Sequence, residues 1–283
     1  MKSIVLCANA RRDDGLEVTR RVADMAQDAG VEAHILTLMD AEGREIQTER
    51  AKLAEWLREA ELMLAFGGDG TMLRAAKLVV GTETPVLGIN MGGKGFLAEL
   101  ELSQLDAIPE ILRGDFKRER RMTLEAELTR NGTTIARDIA INDAVLSGGG
   151  KVVKLTIFGD GHQISSFAGD GVIVSTPTGS TAYSMAAGGP IVEPTAQNII
   201  ITPICAHYLE AKPYVLVSDR RVSVEVGSGK KNSAFFTADG KDRRIVKSGD
   251  RLNIKKSKKT VCFARLAGRS FYKRVSEKLG ESN

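Results

Sequence analysis

Residues 62–66, Leu-Met-Leu-Ala-Phe, lead directly into Gly67-Gly68-Asp69-Gly70-Thr71, and an apolar-periodic segment over residues 72–80 follows. The pattern predicts a buried strand, a glycine loop and a helix. Such a loop suits phosphate, because glycine lets backbone N–H groups approach a ligand and a helix N-terminus favours an anion. Asp69 would repel phosphate, so it needs another task. It can hold a divalent cation or accept a proton from an attacking hydroxyl, and both tasks belong to phosphoryl transfer.

The first 100 residues alternate between apolar runs and segments of helical period. This βαβα rhythm predicts a parallel, doubly wound, Rossmann-like sheet with ligands at the carboxyl ends of its strands, where Asp69 lies. The apolar runs are 4–8, 31–38, 62–66 and 85–89, and the helical segments are 16–29, 51–60 and 72–80.

The pattern changes after residue 100. A helix is predicted over 103–112, and the short alternating runs and glycine turns beyond it predict a β-rich, sandwich-like domain. We therefore expect an α/β domain over residues 1–100 and a β-rich domain over residues 101–264. Residues 265–283, which include a short predicted helix at 272–279, are expected to complete the first domain.

The composition is that of a soluble globular protein, with 283 residues of which 42% are hydrophobic. The cysteines are widely spaced and each lies in an apolar stretch, so we expect buried thiols, a reducing compartment and a cytoplasmic protein. The histidines are scattered, which gives a zinc site little support. These residues are Cys7, Cys205, Cys262, His34, His162 and His207.

Two segments resemble export or membrane signals only superficially. The apolar N-terminal run stops at Asn9 without an export pattern and is interpreted as a first strand. The longest stretch without charge, residues 171–192, contains Thr-Pro-Thr-Gly-Ser-Thr and is interpreted as a loop-rich motif. The sequence therefore predicts no membrane association.

Charge is unevenly distributed along the chain. Residues 1–100 carry 12 Lys and Arg against 16 Asp and Glu, whereas residues 101–283 carry 28 against 20. The basic half could attract nucleic acid or a phosphate-rich small molecule. The second is favoured, because no Lys or Arg occurs between Lys154 and Lys212 or between Arg58 and Arg74. Backbone N–H groups and a metal ion, Mg²⁺ or similar, must then supply the positive field, and no nucleic-acid partner is expected.

Three further motifs each allow two interpretations. The run Thr176-Pro177-Thr178-Gly179-Ser180-Thr181-Ala182-Tyr183 can supply helix caps or a pocket for a nucleotide base and sugar. Asn142-Asp143 can be a strand-end turn or can bind the two hydroxyls of a ribose. Asp170, between two glycines, can cap a turn or bind a polar part of a ligand.

A fourth motif, Gly88-Ile89-Asn90-Met91-Gly92-Gly93-Lys94-Gly95, comes within one residue of a phosphate-binding Walker A loop. Its last position is glycine where the magnesium-binding Ser or Thr should be. We interpret this near match as coincidence.

Taken together, these residues resemble the NAD kinase family, whose members phosphorylate the adenosine 2′-hydroxyl of NAD. The glycine loop alone is shared with lipid kinases and phosphofructokinases, whereas the hydroxyl-rich run is more specific. The resemblance covers Gly67 to Thr71, Gly88-Ile89-Asn90, Gly95-Phe96-Leu97, Arg121-Met122-Thr123-Leu124-Glu125, Asn142-Asp143, Gly169-Asp170-Gly171, the run 176–183, Gly188-Gly189-Pro190, residues 203–207 and Asp239-Gly240.

The resemblance implies Asp69 as the base, with Mg²⁺ as cofactor and ATP or polyphosphate as donor. It implies adenosine binding by Asn142 and Asp143 and a contact between Asp170 and the nicotinamide end. It also implies a homodimer or homotetramer. Phosphate binding would involve Gly67, Gly68, Gly70, Thr71 and Arg74, and NAD binding would further involve Lys154, Ala168, Thr178, Ser180, Thr181, Ala182, Tyr183, Ser184 and Ala186.

The chain departs from the family pattern at four positions. Asp143 stands where Glu is common, which keeps the charge but shortens its reach. The other three departures affect the expected preference for the phosphate donor and the expected contacts of the nicotinamide end. They are Lys94, Ala168 and Lys241.

Two other functions remain open at this point. A lipid or sugar kinase would share the glycine loop but would have no need for an adenosine pocket. A non-catalytic dinucleotide sensor would gain nothing from a carboxylate beside the phosphates.

Overall fold

The computed structural model describes residues 1–44, 46, 50–92, 95–207, 211–227, 233–268 and 270–280. The chain forms two compact units, Met1–Arg120 with Val261–Asn283, and Arg121–Thr260. Both boundaries fall inside long strands, so the chain passes between the units within β6 (Lys117–Arg130) and β17 (Arg251–Arg265).

The first unit is an α/β structure. Its remaining strands are β1 (Ser3–Asn9), β2 (Glu32–Met39), β3 (Leu62–Gly67), β4 (Val86–Asn90) and β5 (Leu100–Glu101). Its helices are α1 (Glu17–Asp28), α2 (Arg50–Glu59), α3 (Asp69–Leu78), α4 (Ile108–Leu112) and α6 (Phe271–Leu279), with 3-10 turns at Asp14–Leu16 and Leu102–Ala107.

The sheet of the first unit is parallel, in the order β2-β1-β3-β4-β17, with β5 beside β4. Every residue of β3 is buried, as expected for a parallel strand covered on both faces. The predicted doubly wound sheet is confirmed. Strands β1, β3 and β4 end at Asn9, Gly67 and Asn90, which places these three residues at one edge of the sheet.

The helix predicted over 103–112 is present in two parts. The chain forms the 3-10 turn Leu102–Ala107 and then α4, in which Pro109 occupies the first turn. Proline lacks an N–H and is tolerated in an α-helix only at its start. An α-helix that began at residue 103 would have placed this proline in its interior.

The second unit is built from antiparallel strands. They are β7 (Thr133–Ala140), β8 (Asp143–Ser147), β9 (Val153–Gly159), β10 (His162–Gly169), β11 (Gly171–Ser175), β12 (Asn198–Ile204), β13 (Tyr214–Val217), β14 (Val222–Val226), β15 (Ser233–Ala238) and β16 (Lys241–Lys247). One group pairs in the order β10-β9-β14-β17, with β6 pairing β17 and β7, and the other in the order β13-β12-β11-β8-β15-β16. A 3-10 turn, Thr178–Thr181, and helix α5 (Tyr183–Ala186) follow β11.

The two strand groups share one hydrophobic core. Alternate residues of β9 and β14, such as Leu155 and Val224, pack in the same cluster as Leu146, Val174 and Ile201 from the other group. This arrangement confirms the predicted sandwich-like, β-rich half.

The prediction that all three cysteines are buried fails at one position. Cys7 and Cys262 are buried, but Cys205 is exposed. Cys205 is the first residue after β12 and has a φ of 45°, a left-handed conformation that turns the chain out of the sheet. Among the described residues, no helix has the length and apolar character needed to cross a membrane.

Candidate active site

The glycine loop joins β3 to α3 at the carboxyl edge of the parallel sheet. Gly67 has a φ of 153°, and a Cβ built on it would lie 2.4 Å from the Thr71 hydroxyl oxygen, so only glycine fits. The Asn9 side chain at the end of β1 donates a hydrogen bond to the same Thr71 oxygen, at 2.9 Å. The loop is therefore held both by its own helix and by the neighbouring strand.

The carboxylate of Asp69 is half-buried and held by backbone groups. The N–H of Phe96 donates to Oδ2 at 2.8 Å, and the N–H of Leu97 donates to Oδ1 at 3.0 Å. Each carboxylate oxygen can accept two hydrogen bonds, so each retains one free acceptor position in this arrangement. Asp69 is thus oriented and still able to accept a proton.

Gly95 explains part of the motif that we interpreted as a coincidental Walker A match. A Cβ on Gly95 would lie 2.5 Å from Oδ1 of Asp69, so the glycine is needed for the approach of the two segments. Two residues of that motif, Gly93 and Lys94, lie outside the described residues. The sequence signal was therefore present, but its function is to accommodate Asp69.

Arg74 lies one turn into α3 and is half-buried. Its guanidinium donates to the carbonyl oxygen of Gly70 at 3.0 Å. This contact places a positive charge beside the glycine loop, where it could help to neutralise phosphate.

Asn142 lies in the turn after β7 and Asp143 is the first residue of β8, and Asp239 holds this turn. One carboxylate oxygen of Asp239 accepts the N–H of Asn142 at 2.7 Å and that of Asp143 at 3.3 Å, and both of its oxygens accept the N–H of Ile141, at 3.0 and 3.1 Å. In the sequence, Asp239 stands out only as part of Asp239-Gly240, one of the segments that resemble the family. Its hydrogen-bond partners lie 96 to 98 residues earlier in the chain, and no local pattern shows such a contact.

Asp143 is a buried carboxyl, with 5% of its surface exposed. Burial raises the pKa of Asp143 to about 7, and the nearby charge of Asp239 contributes in the same direction. Asp143 therefore changes its protonation state close to neutral pH.

The hydroxyl-rich run packs directly against this turn. The Thr176 hydroxyl donates to the carbonyl oxygen of Ile141 at 2.6 Å, and the Thr176 N–H donates to that of Asn142 at 2.8 Å. A Cβ on Gly179 would lie 2.1 Å from the Asn142 carbonyl oxygen. The two motifs predicted to bind a nucleotide are therefore adjacent.

Gly179→Ala is expected to destabilise the protein by about 1–3 kcal/mol, because the methyl group has no room beside the Asn142 backbone. Gly159→Ala is the matched control, since its Cβ would meet Ile164 at an ordinary 3.7 Å. Urea unfolding of both variants measures the difference. Equal stabilities would contradict the close packing.

Several hydroxyls of this run hold the loop itself. Ser180 is fully buried; its hydroxyl donates to the carbonyl oxygen of Pro177 at 2.7 Å and accepts from the N–H of Val192 at 3.0 Å. Ser184 is also fully buried and bonds to Thr202, and Thr178 accepts from Arg121 at 3.4 Å. Through these hydrogen bonds Ser180 and Ser184 hold the loop in place, and their predicted contact with NAD stays a prediction.

Other residues of the same segment do reach solvent. Tyr183 is 47% exposed, Ala186 is exposed, and Thr181 and Ala182 are half-buried. These residues are available to a base or a sugar.

The residues predicted for the nicotinamide end lie elsewhere in the second unit. Ala168 on β10 is paired with Lys154 on β9, and Asp170 is exposed between β10 and β11. Asp143 is paired with Ser175 at the other end of β11. At about 3.4 Å per residue, Asp170 and Asp143 lie roughly 17 Å apart along the strand. The fold of the second unit therefore brings Asn142 and Asp143 close to the hydroxyl-rich run but leaves them distant from Asp170.

Comparisons with known proteins identify the family. Residues 4–119 match the ATP-NAD kinase N-terminal domain, and residues 141–266 match the ATP-NAD kinase C-terminal domain. The chain belongs to the NAD kinase family. The resemblance found in the sequence is thereby confirmed, and the chain is a member of an enzyme family.

Individual relatives agree. The chain is 37% identical to the NAD kinase of Ruminiclostridium cellulolyticum, with 99% of each chain covered. It is 40% identical to that of Gemmatimonas aurantiaca over 78% of this chain and 77% of the relative.

Two crystal structures share the fold at 23% identity. Yeast NADH kinase complexed with NADH matches with a TM-score of 0.83, covering 100% of this chain and 89% of the yeast chain. An NAD kinase from Archaeoglobus fulgidus in complex with ATP matches with a TM-score of 0.74, covering 99% and 98%.

Proposed function

We propose that this protein transfers the γ-phosphoryl group of ATP to the 2′-hydroxyl of the adenosine ribose of NAD, giving NADP and ADP. Polyphosphate is a second possible donor. The observation that supports this proposal is the arrangement of the Asp69 carboxylate at the start of α3. Two backbone N–H groups orient it, and each of its oxygens keeps one free acceptor position. Membership of the NAD kinase family supports the choice of substrates.

In the proposed reaction, the ribose 2′-oxygen forms a bond to the γ-phosphorus and the bond from that phosphorus to the ADP oxygen breaks. Asp69 accepts the proton of the 2′-hydroxyl. A secondary alcohol is a poor nucleophile, so proton removal and in-line positioning are expected to provide much of the rate acceleration. The backbone of Gly67 to Thr71 and the guanidinium of Arg74 bind the donor phosphates.

We propose that Asn142 and Asp143 bind the adenosine ribose. The amide oxygen of Asn142 is buried and bonds to no other group among the described residues, and a buried polar atom of this kind calls for a partner. A ribose hydroxyl is a suitable donor to it. Asp239 and the Thr176 N–H fix the backbone of the pair before the ligand arrives.

A divalent ion, Mg²⁺, fits the proposed site as a partner of the donor phosphates. The described residues contain no cluster of three or more His, Cys, Asp or Glu side chains suited to a metal. Mg²⁺ often binds through one or two carboxylates and substrate phosphates, so Asp69 is the residue that would contribute a ligand. When bound, the ion would neutralise charge on the transferring phosphoryl group.

One assay tests the function. Purified protein is incubated with NAD, ATP and Mg²⁺, and NADP is detected with an NADP-specific dehydrogenase. Parallel reactions replace ATP with polyphosphate and NAD with NADH, which ranks donors and acceptors. NAD binding without NADP formation would favour a dinucleotide sensor, and phosphorylation of a lipid or sugar alone would favour the other kinase class.

We further propose a cytoplasmic homodimer or homotetramer without a nucleic-acid partner. The family resemblance supports the oligomer. The absence of Lys and Arg between Lys154 and Lys212 argues against a nucleic-acid surface there. Light scattering coupled to size exclusion measures the assembly against the 30.5 kDa chain.

The stability of the protein should depend on pH through Asp143. Its pKa is about 7 in the folded protein and about 4 in an unfolded chain, so the folded state binds more protons between these values. This contribution to stability is present below pH 4 and is lost as pH rises to 7. Urea unfolding at pH 5 and pH 8 should show wild type losing stability relative to Asp143→Asn. Parallel pH profiles would contradict the burial of this carboxyl.

A further inference from the structure

One buried carboxylate and two partly buried guanidinium groups lie beside the segment that holds Asp69. Glu99 is 1% exposed and accepts from Arg265 at 2.6 Å, from Arg274 at 2.9 Å and from the N–H of Leu266 at 2.9 Å. The side chains of Arg265 and Arg274 are 11% and 15% exposed. Burying ions is costly unless every charge is paired and hydrogen-bonded, and such networks are weak evidence for stability. This cluster therefore calls for another explanation.

The cluster contacts the backbone that orients the proposed base. Arg274 donates to the carbonyl oxygen of Phe96 at 2.7 Å, and Arg265 donates to that of Leu97 at a longer 3.4 Å. The N–H groups of the same two residues donate to Asp69. Phe96 and Leu97 are thus fixed on one side by guanidinium groups and hold the carboxylate on the other.

Arg274 lies on α6, 178 residues beyond Phe96 in the chain. None of the residues of α6 is fully buried, so the helix has little apolar anchoring of its own. The contacts of Arg274 with Phe96 and Glu99 are therefore a principal link between this helix and the segment that holds Asp69. Removing them should affect that segment more than the core of the unit.

We propose that Arg274, supported by Glu99 and Arg265, is a positioning residue that fixes Phe96 and Leu97 so that their N–H groups hold Asp69 in the orientation needed for proton transfer. This inference rests on the proposed function of Asp69. A displacement of about 1 Å in a reacting group can cost on the order of 100-fold in rate, so the effect should fall on kcat. Substrate affinity should change little, because Arg274 is assigned no contact with NAD or ATP.

The test compares Arg274→Met, Arg274→Lys and the control Lys273→Met, whose wild-type ammonium makes a surface ion pair with Glu277 at 3.8 Å. Amide hydrogen exchange at Phe96 and Leu97, followed by NMR, measures how firmly these two residues are held, independently of enzyme activity. Steady-state kinetics with NAD, ATP and Mg²⁺ measures the effect of each substitution on turnover.

For Arg274→Met we expect exchange at both amides to rise at least tenfold and kcat to fall about 10- to 100-fold, with KM for NAD and ATP within twofold. Arg274→Lys should recover part of both effects, since an ammonium can still donate to Phe96. The lysine variant also serves if the methionine variant does not fold. Lys273→Met should match wild type.

Unchanged exchange at Phe96 and Leu97 would overturn the proposal, and so would faster exchange with normal kcat. Equal losses for Arg274→Met and Lys273→Met would assign the effect to α6 in general and overturn it too. A wild type that forms no NADP would refute the proposed function, whereas the exchange data would still decide whether Arg274 braces the segment.

Discussion

Asp69→Asn is expected to lower kcat for NADP formation by about 10³-fold and to leave the Kd for NAD within about twofold of wild type. General-base catalysis contributes typically 10²- to 10⁴-fold, and an amide cannot accept the proton of the ribose hydroxyl. The substitution preserves the size of the side chain, so NAD binding by Asn142 and Asp143 should persist. Steady-state kinetics and calorimetric NAD binding measure the two quantities.

The control for this experiment is Asp219→Asn. Asp219 is 77% exposed, and its carboxylate lies 3.8 Å from Arg220, so its removal should change neither quantity. An Asp69→Asn enzyme within tenfold of wild-type kcat would remove Asp69 from the role of base.

The amide group that Asp69→Asn introduces cannot keep the observed arrangement, in which Phe96 and Leu97 each donate to a separate oxygen, because one of these two positions becomes an NH₂ donor. Amide exchange at these two residues should therefore be measured in Asp69→Asn as well. If exchange stays slow while turnover is lost, the loss belongs to the missing carboxylate itself, as proton acceptor or as ligand of Mg²⁺. If exchange rises, displacement of the segment that contains Phe96 and Leu97 accounts for part of the loss of turnover.

Replacing both Asn142 and Asp143 with Ala is expected to weaken NAD binding by roughly 30- to 1,000-fold. The two side chains are proposed to bond the ribose hydroxyls, and such a bond contributes about 0.5–1.5 kcal/mol for the neutral Asn142 amide and about 1.5–3 kcal/mol for a charged Asp143 carboxylate. Calorimetric titration with NAD gives the affinity, and thermal unfolding shows whether the double variant is folded. The single variants divide the loss between the amide and the carboxylate.

The matched control replaces Gln197 and Asp219, two exposed residues of the same unit, with Ala. It should bind NAD as wild type does. Unchanged affinity in the Asn142 and Asp143 double variant would refute their assignment to the ribose, and the adenosine site would then have to be sought among other residues.

The C-terminal half decides between the kinases that carry a glycine loop of this type. The loop by itself left a lipid or sugar kinase open. The match of residues 141–266 to the ATP-NAD kinase C-terminal domain covers Asn142-Asp143 and the hydroxyl-rich run. This match favours a dinucleotide acceptor over a lipid or a sugar.

Local pattern was sufficient where structure follows from local chemistry. The apolar run before Gly67 predicted β3, and the helical period after Thr71 predicted α3, because both elements are fixed by side-chain periodicity and by glycine. The same reasoning located the helix near 103–112 but not its division into a 3-10 and an α part, in which Pro109 occupies the first turn of α4. It failed at Cys205, where a left-handed residue ends the strand.

The sequence by itself determined the family, the two classes of structure along the chain and the candidate base, since glycine spacing and apolar period are properties of neighbouring residues. Only the tertiary structure decided what holds the candidate groups. Phe96, Leu97 and Arg274 fix Asp69, and Asp239 fixes the turn at Asn142. These are hydrogen bonds between residues 27 to 178 positions apart. They form only when distant strands and helices pack together, so no periodic pattern of neighbouring residues predicts them.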